Sequence, residues 1–218
     1  MAISETRRQR APSERAIRTR ERIFDAAETV FADKGFDAAT LRDIAALAGT
    51  QVGLVHHHGG GKAELFCQTV KRRADDLSTE RIDRLTARKS AGPMTVEDLL
   101  GCFVGPYLDR AASGDVQWLA YARLVAIASA DSRWRDLAAE CFDPTANRFI
   151  DEFASLFPDA RRPAIASGFV YSVSAMLALL TSSWRIETLG ATGTIGADHQ
   201  DELVRFCAAG IRAILQHC

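Results

Sequence analysis

A chain of 218 residues, 47% hydrophobic and 25% charged, is expected to fold as an ordinary globular protein with one or two domains. Its net charge of −1 argues against a uniformly basic protein, and five widely spaced cysteines without a CxxC pair argue against a disulfide framework or a zinc finger. The N-terminus lacks the apolar stretch of a signal peptide, so we expect free thiols in a reducing cytosol.

The charge is unevenly distributed along the chain. Residues 1–90 carry 17 basic and 13 acidic side chains, whereas residues 91–218 carry 10 and 15. Residues 1–14 are polar and rich in arginine, and we predict that they form a disordered basic arm. This asymmetry is typical of a protein that contacts DNA at one end, although an arginine-rich tail can also be simply solvated.

The stretch 40–62, TLRDIAALAGTQVGLVHHHGGGK, carries the strongest local signal. Thr40, with Asp43 three residues later, is a helix-start pattern, and Gly49 is suited to end the short helix that follows. A second short helix is predicted over 50–58. Two short helices joined by a tight turn indicate a helix-turn-helix, whose second helix enters the major groove of DNA.

The remainder of the chain also has helical periodicity, without any alternating strand pattern. We expect a boundary over 86–94 and a glycine-rich loop over 190–197. The other predicted helices cover 14–34 (ended by Gly35), 62–85, 95–108, 115–130, 132–157 (broken or kinked at Pro144), 163–189 and 198–217. The predicted fold class is all-α.

The segment from about Arg18 to Ala74 resembles the DNA-binding domain of the TetR (tetracycline repressor) family. The residues that carry the resemblance are Thr19, Arg20, Ile23, Ala26, Ala27, Phe31, Gly35, Phe36, Thr40, Leu41, Arg42, Asp43, Ile44, Ala45, Ala48, Gly49, Gly53, Leu54, Val55, His58, Gly60, Gly61, Lys62, Leu65 and Phe66. It implies an N-terminal three-helix helix-turn-helix domain over 15–75 and a larger helical ligand-binding and dimerisation domain over 76–218.

The function that this resemblance implies is DNA-binding transcriptional regulation rather than catalysis, with no cofactor and no metal. The expected protein is a bacterial cytoplasmic homodimer, associated with the nucleoid when bound to DNA, that represses from a palindromic operator. A small hydrophobic ligand, of aromatic or acyl type, is expected to release it. Two alternatives are an architectural DNA-binding protein without an inducer and a helical enzyme that uses a histidine.

The chain departs from the family pattern at the end of the motif. Family members usually carry a Tyr-x-His-Phe run where this chain has His56-His57-His58-Gly59. The absent aromatic at position 59 would cost about 3 kcal/mol unless Phe36 or Phe66 fills the space. Gln51 is a poor helix cap, so Thr50 is an alternative capping residue.

By carry-over from the family, the expected DNA contacts are Arg18, Arg20, Thr40, Arg42, Gln51, Val52, Gly53, Leu54, His56, His57, His58 and Lys62. Arg42 is suited to a base edge or a phosphate, Gln51 to adenine and Val52 to a thymine methyl group. For each of these positions, the alternative is a side chain that is simply exposed to solvent; we favour a DNA contact for Arg42 and Lys62.

Two other interpretations of the stretch HHHGGGK fail on chemistry. Consecutive histidines on a helix point about 100° apart, so three in a row cannot converge on one metal ion. A phosphate-binding P-loop would need glycine at position 56 and serine or threonine at position 63, where this chain has His56 and Ala63. Neither a metal nor a nucleotide is therefore expected.

The segment 163–184 has no charged residue and is long enough to span a bilayer. It is rich in serine, threonine and glycine and lacks aromatic belts, so we favour a dimer interface over a membrane span. We expect the homodimer to form through helices at about 163–189 and 198–217, as a four-helix bundle across a two-fold axis.

The aromatic residues of the middle helices are the candidates for a ligand pocket, although such a stripe is more often plain core. They are Phe103, Tyr107, Trp118, Tyr121, Trp134, Phe142, Phe149 and Phe169, with Trp184 as a further candidate.

Overall fold

The computed structural model describes residues 13–190 and 197–216, which form nine α-helices and no strand. The helices are α1 (Glu14–Ala38), α2 (Leu41–Leu47), α3 (Val52–Gly59), α4 (Lys62–Ser90), α5 (Val96–Ala112), α6 (Val116–Ala130), α7 (Arg135–Leu156), α8 (Arg162–Gly190) and α9 (Ala197–Leu215). The all-α prediction is confirmed. Most of the predicted arm and of the loop over 190–197 lies outside the described residues.

The glycine near the end of α1 and the capping residues of α2 adopt the conformations that the sequence predicts. Gly35 interrupts α1 with a φ of +72°, in the left-handed region that favours glycine. Thr40 forms a capping box, in which its Oγ1 accepts from the Asp43 amide at 3.1 Å and the Asp43 carboxylate accepts from the Thr40 amide at 3.1 Å. At α3 the cap residue is Gln51 rather than Thr50, and its side chain makes no capping hydrogen bond.

Two predicted helix boundaries are wrong. Helix α4 continues beyond Leu85 to Ser90, where Arg88 pairs with Asp98 and donates to the Pro93 carbonyl, so the predicted boundary over 86–94 is partly helical. Helix α7 continues through Pro144, so the predicted break is wrong, whereas a kink there stays a prediction. A proline removes only one backbone donor, and the buried side chains of α7 on both sides of it, from Leu137 to Phe153, hold the helix in place.

The described residues pack around two hydrophobic cores. The larger one is built from α4 to α9, and the smaller one from α1 to α4. The smaller core also contains Leu124 and Ala128 from α6 and Trp134 from the short 3₁₀ turn Ser132–Trp134. The N-terminal helices are therefore packed directly onto the C-terminal part of the chain instead of being joined by a linker alone.

Helix α8 is the described helix that is long and apolar enough to cross a bilayer, which is weak evidence for a membrane span. Its Gly168 lies against α9, where an added Cβ would come within 3.1 Å of Ile211 Cγ1. This close approach is what a packed helix pair in a protein core requires. Helix α8 also leaves the apolar side chains of Val170 and Tyr171 largely exposed.

Candidate nucleic-acid interface and ligand cavity

Helix α3 leaves apolar and polar side chains in solvent at its beginning. Val55 is fully buried and holds the helix to the core, whereas Val52 and Leu54 are 40% and 43% exposed. Arg42 at the start of α2 is also exposed. Of the twelve predicted DNA contacts, all are exposed except the half-buried His58 and Lys62. These exposed groups are able to meet base edges and phosphates.

The three consecutive histidines of α3 differ in burial: His56 and His57 are exposed, and His58 is half-buried. The rings of His57 and His58 lie 5.1 Å apart at a steep angle. Partial burial lowers the pKa of His58 below its ordinary value, and the nearby His57 and Arg20 lower it further. His58 is therefore neutral at physiological pH, where it can donate or accept a hydrogen bond but supplies no charge.

Lys62 has a structural role at the first residue of α4. Its Nζ donates to the carbonyls of Asp37 at 3.1 Å and Ala39 at 3.0 Å, and it lies 4.6 Å from the centre of the Phe36 ring. These bonds pin the turn between α1 and α2 to the end of the helix-turn-helix. An ammonium group has three donors, so one is left over for a phosphate.

The missing aromatic at position 59 is replaced by other side chains. A Cβ added to Gly59 would overlap Leu65 Cδ1 and lie 3.2 Å from Leu65 Cβ, so Leu65 fills this space. Beneath it, Phe66 lies 5.5 Å from Phe36 and 4.5 Å from Trp134, between ring centres. Because Leu65 already occupies the place of the family aromatic, the cavity cost expected for its loss does not apply.

A cavity of about 500 Å³ lies among α4, α5, α6, α7 and α8, within the size range of small-molecule sites. Its wall includes four of the predicted pocket residues: Phe103, Tyr107, Phe142 and Phe169.

The other predicted pocket residues lie elsewhere. Trp118 and Tyr121 pack behind Tyr107, and Phe149 packs against Phe103 with 5.1 Å between ring centres. Trp134 belongs to the core of the N-terminal helices, and Trp184 is exposed. Aromatic residue type alone does not distinguish a cavity wall from the packing behind it.

Arg81 was not among the predicted pocket residues, yet it lies on the cavity wall and is only 6% exposed. The signal was present in the helical register of α4, because Arg81 stands four residues from both Leu77 and Leu85, which are buried. A basic residue in the middle of an apolar stripe marks a buried charge.

The α8–α9 pair has a broad apolar surface in solvent. Tyr171 is 64% and Phe206 is 72% exposed, and both border a groove along the two helices. Among the residues that the structure describes, no group of three or more histidine, cysteine or acidic side chains is arranged to hold a metal ion.

Two family models match the chain. The model described as "Tetracyclin repressor-like, C-terminal domain" matches residues 101–210, and "Bacterial regulatory proteins, tetR family" matches residues 23–68. The first alone spans half of the chain.

Curated relatives match over shorter segments. The chain is 42% identical over 93 residues to the HTH-type transcriptional regulator TtgR of Pseudomonas putida, covering 43% of this chain and 41% of TtgR. It is 38% identical over 58 residues to the HTH-type transcriptional repressor KstR2 of Rhodococcus jostii, covering 27% of this chain and 28% of KstR2. The matched segments span less than half the length of these relatives.

The fold is shared with a solved structure of a putative transcriptional regulator from Pseudomonas aeruginosa. The TM-score is 0.63 at 16% identity, and the match covers 98% of this chain and 97% of that one. With both family models in their expected places, the chain belongs to the TetR family of transcriptional regulators, DNA-binding proteins with a helix-turn-helix and no catalytic activity.

Proposed function

We propose that the protein is a homodimeric repressor that binds a palindromic operator and is released by a small hydrophobic ligand. The observation that carries this proposal is the packing of the exposed α2–α3 pair against the part of the chain that encloses the cavity. Trp134, from that part of the chain, belongs to the core of the N-terminal helices. Such a repressor acts in the bacterial cytoplasm and associates with the nucleoid while it is bound.

The DNA-binding unit of the proposal comprises residues 15–75, preceded by the basic arm 1–14. In it, Arg42 and the beginning of α3 read base edges, while Arg18, Arg20 and the third Lys62 donor contact phosphates. The exposed Val52 and Leu54 offer apolar contacts to thymine methyl groups. The capping box of Thr40 and Asp43 keeps α2 in register, so that Arg42 is presented at the first turn of its helix.

Residues 76–218 form the ligand-binding and dimerisation unit. The apolar side chains of α8 and α9 that remain exposed in a single chain, including Tyr171 and Phe206, are of the kind that obligate dimer interfaces bury. A two-fold axis through this surface would set two copies of α3 at a fixed spacing on a palindrome.

Release follows from linkage between the cavity and the N-terminal helices. Arg133 joins the α6–α7 turn to Asp37 through two hydrogen bonds of 2.8 and 2.9 Å, and Trp134 beside it packs on Phe36. A ligand that prefers another arrangement of α6 and α7 therefore shifts the helix-turn-helix, and ligand and DNA each weaken binding of the other.

Genomic footprinting with the purified full chain tests the DNA side of this proposal. We expect protection of a palindrome, and Arg42→Ala should weaken binding there by about 1–3 kcal/mol. The matched control is Arg148→Ala, an exposed arginine on α7, which should leave the footprint unchanged. Uniform binding to all DNA that Arg42→Ala does not affect would contradict the proposal and favour an architectural role.

A further inference from the structure

Arg81 is a buried cation on the wall of the cavity. Its Nε donates to the Phe103 carbonyl at 2.8 Å, its Nη2 lies 3.8 Å from Met176 Sδ, and its Cζ lies 3.8 Å from the centre of the Phe103 ring. A guanidinium group has five N–H donors, and these contacts use one strong acceptor and one weak one. Within the described part of the chain, several donors of Arg81 are therefore left without a strong acceptor.

No carboxylate within residues 13–190 and 197–216 pairs with Arg81. Its chain neighbour Glu80 instead pairs with Arg84 and Arg110, at 2.7 Å in each case. Burial lowers the pKa of Arg81 to about 10, which still leaves the group charged at neutral pH. Buried charges in proteins are normally paired, so this one marks an interaction that the chain alone does not complete.

Tyr107 also lines this wall, and its hydroxyl is a second unsatisfied group, enclosed in the packing behind the wall. It is among the most deeply buried side chains, and its hydroxyl has no hydrogen-bond partner in the described structure. A buried tyrosine hydroxyl usually finds a partner. Burial also raises the pKa of Tyr107 well above its ordinary value, so the group is a hydrogen-bond donor at neutral pH. Its ring centre lies 6.0 Å from Arg81 Cζ.

The other residues of the cavity wall determine the charge and polarity of the ligand that fits it. Arg81 is the only basic residue among the described residues that line the cavity, and most of the other lining side chains are apolar. The acidic residue of the lining, Asp143, and the amide of Asn147 are exposed and so belong to the mouth, while, apart from Arg81 and Tyr107, the other polar lining residues are the hydroxyl side chains Ser78, Ser129, Thr145 and Ser174. The exposure of Asp143 means that water and salt screen its charge from an entering anion.

We propose that the ligand of this cavity is a monocarboxylate on an apolar body, with its carboxylate on Arg81 and its body against Phe103, Phe142 and Phe169. The planar fork of arginine matches a carboxylate, which accepts two parallel hydrogen bonds from it. The single positive charge of Arg81 balances a single negative charge, whereas a phosphate dianion would lack a second cation. The inference rests on the proposed function, since it names the chemistry of the releasing ligand.

Calorimetry with the full chain and no DNA tests this inference, with decanoate as the probe. Decanamide has nearly the same shape without the charge, and decylamine carries the opposite charge. We expect one decanoate per chain, bound about tenfold or more tightly than decanamide, and no binding of decylamine. Equal binding of decanoate and decanamide, or no binding of decanoate at millimolar concentration, would overturn the proposal.

Variants assign the preference to Arg81. Arg81→Met should abolish the preference for decanoate over decanamide, while Arg81→Lys should keep part of it. The control is Arg84→Met on the same helix, whose guanidinium already pairs with Glu80 and Asp109 and which should keep the full preference. A preference that survives Arg81→Met would overturn the assignment.

Thermal unfolding distinguishes a ligand-binding charge from a structural one. Without ligand, Arg81→Met should melt at the same or a higher temperature, because it removes an unpaired buried charge. With decanoate, the wild-type protein and the Arg84→Met control should gain in melting temperature, and Arg81→Met should not. A large fall in the melting temperature of ligand-free Arg81→Met would show that the guanidinium serves the fold and would overturn the proposal.

A separate measurement keeps this inference apart from the proposed function. Decanoate that binds through Arg81 but leaves operator affinity unchanged would uphold the carboxylate site and contradict ligand release. An operator footprint sensitive to Arg42→Ala, together with no decanoate binding, would uphold the regulator and contradict the carboxylate site.

Discussion

Position 59 illustrates how one residue can be compensated within its own neighbourhood. The family pattern places an aromatic there, and Gly59 is instead buried against Leu65. The aromatic rings lie one layer deeper in the core, where Phe66 contacts Phe36 and Trp134. In its present rotamer, Leu65 occupies the space beside Gly59, so a larger residue at 59 would require Leu65 to move.

Gly59→Phe should destabilise the protein, although it restores the family residue. Its side chain would collide with Leu65 in a packed core, which costs about 1–3 kcal/mol. Urea unfolding would measure the loss, and Leu65→Ala in the same chain should recover part of it. Gly53→Ala is the control, because a Cβ at Gly53 meets no atom within 4 Å. Equal stability of Gly59→Phe and the parent would contradict the assigned packing.

At the scale of helices, the sequence predicts best what is decided locally. Gly35 and the Thr40–Asp43 box predict helix ends correctly because one or two residues decide the backbone there. The break predicted at Pro144 is absent, because tertiary packing of α7 outweighs the loss of one backbone hydrogen bond. Trp134 was predicted to line the ligand pocket and does not, for a similar reason. Its spacing predicts that it is buried, but periodicity does not say against which helix it packs.

The candidate sites differ in the same way. The exposed DNA-contact candidates belong to one ordered motif, so their positions can be named from the order of residues alone. The cavity wall is assembled from five helices, α4 to α8, and only four of eight aromatic candidates line it. Arg81 was detectable as an arginine in the apolar stripe of α4, yet what it lacks, an acidic partner, is visible only in three dimensions.

Trp134 is one of the residues, with Leu124 and Ala128, through which the helices around the cavity contact the N-terminal core. Trp134→Ala should cost about 3–5 kcal/mol, as for a buried aromatic cut to alanine, and should speed amide exchange most in α2 and α3. Val116→Ala is the control, because that side chain is exposed at the start of α6, outside both cores and outside the α8–α9 surface, and should change neither property. If exchange rose only in the helices around the cavity, Trp134 would not connect the two parts.

For the whole molecule, the exposed apolar surface is the feature that a single chain does not explain. Contiguous exposed apolar patches on soluble proteins mark interaction sites, and this one continues from Tyr171 on α8 to Phe206 on α9. Arg212 of α9 is paired with Glu97 of α5, which fixes α9 against the larger core. The patch is thus presented on a rigid helix pair, and a second copy of the same pair is the partner that we propose.

Phe206→Glu should convert the dimer into a monomer, because two charges would face each other across a two-fold axis inside an apolar contact. Sedimentation would follow the change in mass, and operator affinity should fall by about 100-fold or more once the two half-site contacts are no longer linked. Val116→Glu is the control, since Val116 is equally exposed at the start of α6 but lies outside the α8–α9 surface. A Phe206→Glu protein that remains dimeric and binds the palindrome as before would place the interface elsewhere. A monomer that still binds with full affinity would instead show that one copy of α3 is enough for recognition.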